Sequence, residues 1–138
     1  MRYWLIALPR ADMEHCIKIG TFGLSRKHVL GNIEVGDKIG CYITKEYKII
    51  GLGETTSEHY LDDSPVFLRK EGLFADRIDF KAIPLVGENE IDFMRFIEDM
   101  KFIKHLAHWS VYFSKGIVEI TEHDWKVLVS KSKVMNLK

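Results

Sequence analysis

In the stretch Gly20-Thr21-Phe22-Gly23-Leu24-Ser25-Arg26-Lys27-His28, one aromatic ring sits between two glycines and is followed at once by a hydroxyl, two cations and an imidazole. Glycine lacks a Cβ and reaches backbone angles that other residues avoid, so Gly20 and Gly23 can set Phe22 at the mouth of a cavity. There its ring would stack on a flat, uncharged group while Arg26 and Lys27 hold a phosphate. A second stretch, Trp109-Ser110, joins a large π-face to a hydroxyl that both donates and accepts. Stacking on an aromatic side chain is worth about 1–3 kcal/mol per base, which Phe22 and Trp109 could supply, although aromatic side chains are more often core. Ser110 and a backbone group near Gly23 would read the base edge, and Lys104 would join Arg26 and Lys27 on the phosphate.

The same residues have plainer readings. Lys101, Lys104, His105 and His108 suit the C-terminal end of a helix, whose dipole favours cations, and Arg26 to His28 suit a solvated face. His105 and His108 share a helix face at i and i+3, but no third ligand stands at a telling position, so neither a metal nor a cofactor is expected. Cys16 and Cys41 lack CxxC spacing and read as small buried side chains. Trp4, Tyr112 and Trp125 read as core. The polar run Glu54 to His59 reads as an edge strand.

The elements that must position these groups follow from periodicity. Tyr3 to Leu8 is an apolar strand stopped by Pro9. Met13, Cys16, Ile17 and Gly20 recur at i, i+3, i+4 and i+7, a helix that Gly20 closes in the left-handed conformation. Ser25 would cap a short turn through Val29 and Leu30. Gly36-Asp37 turns into a strand, Lys38 to Thr44, whose alternation predicts one buried face. A long partner strand, Lys48 to Tyr60, carries Gly51 and Gly53 as a bulge or bend. Asp62 to Pro65 reads as a loop, Val66 to Asp76, with Arg69, Lys70 and Gly72, as a mobile connection, and a strand runs from Arg77 to Leu85. Asp92 would open a helix striped by Phe93, Phe96, Ile97, Met100 and Ile103. Trp109 to Phe113 reads as a strand, and Thr121 with Asp124 as a capping box for a last helix bearing Trp125, Leu128 and Val129.

A length of 138 residues with 46% hydrophobic and 29% charged side chains fits one domain spanning 1–138. No apolar run approaches the roughly 20 residues that cross a bilayer. The N-terminus patterns as a strand rather than a signal peptide, so a cytoplasmic location is expected. Twenty basic and twenty acidic side chains cancel, so any nucleic acid must be held by a local patch. Strands with helices inserted between them predict an α+β domain.

The order of parts resembles the EVE domain: a Tyr-Trp strand at the start, an aromatic-Gly turn followed by basic residues, and a Gly-Asp-Lys turn into a strand. Phe102-Ile103-Lys104 and Trp109-Ser110 then precede a Thr-Glu-His-Asp-capped helix. The resemblance covers nearly the whole chain. It implies a PUA-like fold, a small curved β-barrel of five to six strands with helices packed around it, related to the YTH readers of methylated adenosine. It also implies a domain that reads a modified or extruded base in DNA or RNA without catalysis. On this resemblance Phe22 and Gly23 match the aromatic-Gly turn, where relatives often carry Trp, and Trp109-Ser110 the later aromatic segment. The ASCH group of PUA-like relatives suggests an alternative, a small hydrolase acting on a modified nucleoside, for which Lys27, Thr55 and Glu54 supply the residue types. A protein-interaction module is the third reading.

Overall fold

The first strand, Tyr3–Leu8 (β1), is buried from Trp4 onward. Successive side chains of a strand point to opposite faces, and here each face meets a core. Trp4, Ile6 and Leu8 enter one hydrophobic cluster; Leu5 and Ala7 enter the other. In this computed structural model, which describes residues 1–25, 30–69, 72–104 and 106–132 (of 106–108 the backbone alone), the elements that follow are α1 Arg10–Ile19, β2 Thr21–Leu24, β3 Lys38–Ile43, β4 Lys48–Thr55, β5 Tyr60–Leu61, β6 Asp76–Pro84, β7 Ile91–Asp92, β8 Ile117–Ile120 and α2 Glu122–Ser132. Three 3₁₀ helices cover Gly87–Asn89, Phe93–Asp99 and Leu106–Phe113. No described helix is long and apolar enough to cross a membrane.

The strands form one curled sheet in the order β2-β6-β4-β3-β1-β8, with β5 on β6 and β7 on β4. β1 and β3 run parallel, and the other pairs are antiparallel. This is the expected α+β architecture. Cys41 opposes Gly51 while Tyr42 opposes Ile49, so Ile50 is an extra residue. It is the bulge expected near Gly51, and such an insertion bends and twists its strand.

Against one face lies α1, burying Met13 and Cys16. Gly20 ends the helix at φ 73°, and its N–H donates to Cys16 O at 2.8 Å. Against the other face lie α2 and the longer 3₁₀ segments, with Phe93, Phe113, Trp125 and Leu128 inside. The capping box forms: Asp124 N–H donates to Thr121 Oγ1 at 3.1 Å and Thr121 N–H to Asp124 Oδ2 at 3.0 Å. The buried Asp124 carboxylate also accepts from the N–H groups of Lys101 and Phe102, so one side chain caps α2 and fixes the chain that leads to it.

Four expectations need correction. β3 has no solvent face, because Tyr42 enters the second core and Gly40 lies under Leu5. The long strand from Lys48 ends at Thr55, and β5 is separate. The segment after Asp92 is 3₁₀ rather than α-helical, and Trp109–Phe113 lies in a 3₁₀ helix rather than a strand. Aromatic packing decides the last two. Phe113 stacks on Tyr42 at 4.1 Å with 2° between ring planes, and Phe93 meets both rings edge-on. Such tertiary contacts override the β preference of a short Trp-Ser-Val-Tyr-Phe run.

Arg10, opening α1, donates to Glu46 at 2.8 Å and to Glu90 at 2.9 Å. These hydrogen bonds hold both carboxyls below the usual carboxylate range. A carboxyl depressed in this way contributes stability above its unfolded pKa, about 4.3 for Glu, and the contribution disappears as pH falls through the folded value. Thermal melts by circular dichroism from about pH 6 to about pH 3 are therefore expected to fall less steeply for Glu90→Gln than for the wild type. Equal slopes would show that Arg10 holds Glu90 without thermodynamic consequence.

Candidate functional site

The described residues between β5 and β6 have no regular structure, yet a buried cation organises them. Arg77, 1% exposed, donates from Nε to Phe74 O at 3.1 Å, from Nη1 to Ser64 Oγ at 3.0 Å, and from Nη2 to Leu73 O at 2.9 Å and to Ser64 O. Asp62 lies 3.5 Å from Nη1. A guanidinium presents its donors in a fixed fork, so these bonds fix the chain at Ser64, Leu73 and Phe74. Phe67 and Phe74 consequently meet at 6.1 Å between centroids with their planes at 85°. The guanidinium of Arg69 lies over the Phe74 ring at 3.7 Å and over the Phe67 ring at 5.1 Å, and that of Arg77 lies 4.9 Å from Phe67.

Beneath this pair runs β2. Gly23 opposes Arg77 across the β2–β6 ladder, and its carbonyl accepts from Arg69 Nη2 at 2.8 Å. A Cβ at Gly23 would stand 2.5 Å from Phe74 O and 2.8 Å from the Phe67 ring, so only glycine permits this approach. Pro65, Phe67, Arg69, Gly72 and Leu73 line the opening, a pocket of about 360 Å³. Arg69 reaches deep enough for its charge to oppose the effect of burial on Cys16, whose thiol is pushed up to about 12. The start of β2 is clamped separately: Thr21 Oγ1 and Tyr60 OH both donate to Asp79 Oδ1, at 2.9 and 2.6 Å. Burial, and then this bond, push the Tyr60 phenol up to about 12.

The EVE domain profile matches residues 2–131. The chain belongs to the EVE domain family. UPF0310 protein PH1033 of Pyrococcus horikoshii is 32% identical over 143 residues, covering 93% of this chain and 97% of the relative. Two solved structures show the shared fold. Rpa0253 from Rhodopseudomonas palustris superposes with a TM-score of 0.63 at 18% identity, over 100% of this chain and 99% of that one. The Mmi1 YTH domain in complex with RNA superposes with a TM-score of 0.64 at 13% identity, over 94% of this chain and 76% of that one.

In this EVE domain the described residues among those named from the sequence do not converge. Gly23 lies under the Phe67–Phe74 pair just described. Phe22 does not line it: the ring is fully buried, opposite Ile78 in the core beneath α1, because pairing of β2 with β6 turns it inward. Trp109 and Ser110 belong to the other face of the sheet. There they line a pocket of about 250 Å³ with Tyr42, Thr44, Lys45, Tyr47, Phe113 and Ser114, and Trp109 meets Tyr47 edge-on at 5.2 Å. The expected wall of Phe22 facing Trp109 is therefore absent. Lys104 is exposed beside Lys101, Phe102 and Glu119, in a groove that shares no lining residue with the pocket at Phe67 and Arg69.

Arg26, Lys27, His28 and His105 lie outside the described residues, as does the His108 side chain. Among described residues no group of His, Cys, Asp and Glu side chains is arranged to hold a metal. The residues flanking 26–29 are fixed at one place, since Leu24 opposes Asp76 and Leu30 N–H donates to Asp76 Oδ2 at 3.1 Å. For the hydrolase alternative, Thr55 is buried with its hydroxyl donating to Glu34 O at 2.6 Å, while Glu54 is exposed with Lys38 at 3.9 Å. Adjacent strand positions send the two side chains to opposite faces.

The sequence reading misses Phe67, Arg69, Phe74 and Arg77. Their one signal is alternation of ring and cation in Phe67-x-Arg69 and Phe74-x-x-Arg77, a pattern suited to cation–π contacts.

Proposed function

We propose that this EVE domain binds nucleic acid and takes one extruded or modified base into the cleft between Phe67 and Phe74, against the Gly23 backbone. The observation that carries this reading is the right-angled Phe67–Phe74 pair packed over Gly23, with Phe67 and Arg69 lining a pocket beside it. An extruded base is held by stacking on ring faces and by hydrogen bonds to its edge, and these groups supply both. Arg26 and Lys27 would hold phosphate beside the cleft, because the chain on either side of them is fastened at Asp76, next to Arg77. The Mmi1 YTH domain, solved with RNA on the same fold, supports nucleic acid as the partner.

Fluorescence anisotropy against short DNA and RNA strands, each carrying one methylated base, tests this. Phe67→Ala and Phe74→Ala are each expected to weaken binding by about tenfold or more, the worth of one base stack, and Trp109→Ala to leave it near wild type. Binding that tracks Trp109 and ignores Phe67 and Phe74 would move the site to the opposite face. Binding should also weaken steeply as salt rises; a salt-independent complex would point to a protein partner instead.

A further inference from the structure

The cleft already holds a flat cation. The Arg69 guanidinium lies 3.7 Å from the Phe74 centroid and 5.1 Å from that of Phe67, and donates to Gly23 O at 2.8 Å. Two ring faces, each the negative side of an aromatic quadrupole, and one carbonyl oxygen thus share a planar positive group. We propose that Arg69 is a resident stand-in, and that the cleft takes a flat ring bearing a positive charge and an N–H, such as a purine methylated on a ring nitrogen. This rests on the base-binding reading above and replaces the uncharged group expected from the sequence.

The exchange explains the selectivity. A neutral ring that displaces Arg69 forfeits its cation–π contacts and its charge-assisted bond to Gly23 O. A cationic ring restores both of these contacts. Arg77 does not oppose it strongly, because Asp62 stands 3.5 Å from its Nη1.

Isothermal titration with 1-methyladenosine, cationic at neutral pH, and its neutral isomer 6-methyladenosine tests the proposal on the whole chain. The wild type is expected to bind the cation about tenfold tighter, in the range of a desolvated cation–π contact. Arg69→Gln, which removes the competitor, is expected to tighten both ligands while keeping the order. Equal binding of the isomers, or preference for the neutral one, overturns the proposal, as does weaker binding by folded Arg69→Gln. If that variant melts before binding is measured, the wild-type comparison of isomers decides alone. Should neither nucleoside bind while methylated oligonucleotides do, the cationic class falls and the base-binding reading stands. Should nothing bind, both fall.

Discussion

Replacing Arg77 by methionine is expected to cost about 2–4 kcal/mol of stability, since hydrogen bonds to charged groups contribute more than neutral ones and their removal strands buried partners, and to abolish base binding. Methionine keeps the apolar stem and its packing, so the change isolates the guanidinium. Without it the carbonyls of Ser64, Leu73 and Phe74 lose their shared donor, and Asp62 loses its counter-charge. Of the two cations that hold Phe67 and Phe74 over Gly23, only Arg69 then remains. Limited trypsin digestion reads the local effect. Arg69 offers a cleavage site within the segment, and cutting there is expected to be faster in Arg77→Met than in the wild type. Urea denaturation reads the global one. Unchanged cleavage would mean that the segment is held by the phenylalanine pair itself.

Arg77→Lys sharpens the point. An ammonium is a single point charge on a flexible stem, whereas the guanidinium reaches Ser64, Leu73 and Phe74 from three nitrogens at once. Lysine is expected to restore part of the stability and little of the protection from trypsin.

What the sequence made legible was local. The Met13, Cys16 and Ile17 stripe, the Gly20 terminator and the Thr121–Asp124 box each follow from residues within two turns of one another, and each is found. The bulge beside Gly51 was legible because glycine in a strand interior has few other uses. Phe22 shows where locality fails. Its setting between glycines looks like that of an exposed ring, but its direction depends on a partner strand more than fifty residues away, opposite Ile78. Trp109 fails for a similar reason, since Phe113 stacking on Tyr42 selects a 3₁₀ helix where propensity favours a strand. The cleft itself was least legible. It is organised by one buried arginine bonding to backbone carbonyls, and a segment shaped that way carries no hydrophobic period to read.

The glycines of β4 show how the core and the cleft are joined. Gly53→Ala is expected to cost more than about 3 kcal/mol, at or beyond the upper end of ordinary overpacking, and so a large share of a typical domain stability of about 5–15 kcal/mol. A Cβ there would stand 1.8 Å from Lys81 O and 2.6 Å from Ala82 Cα. Both are backbone atoms of β6, so no rotamer change relieves the clash and the two strands must separate. Gly53 pairs with Ala82 on one side and Ile39 on the other, which places the disruption in the middle of the sheet. Gly51→Ala makes the matched comparison. Its Cβ would meet Cys41 Sγ and Ile17 Cδ1 at 3.2 Å, side-chain atoms that can yield by a few tenths of an ångström, and the expected cost is about 1 kcal/mol. Because β6 carries Arg77 and pairs with Gly23 of β2, a shift of β6 away from β4 also moves the floor of the cleft. Urea melts of both variants, with oligonucleotide binding measured well below each transition, separate the effects: Gly53→Ala should lose binding even where it remains folded, and Gly51→Ala should not. Equal losses of stability in the two would show that β6 has more freedom than its close approach to Gly53 implies.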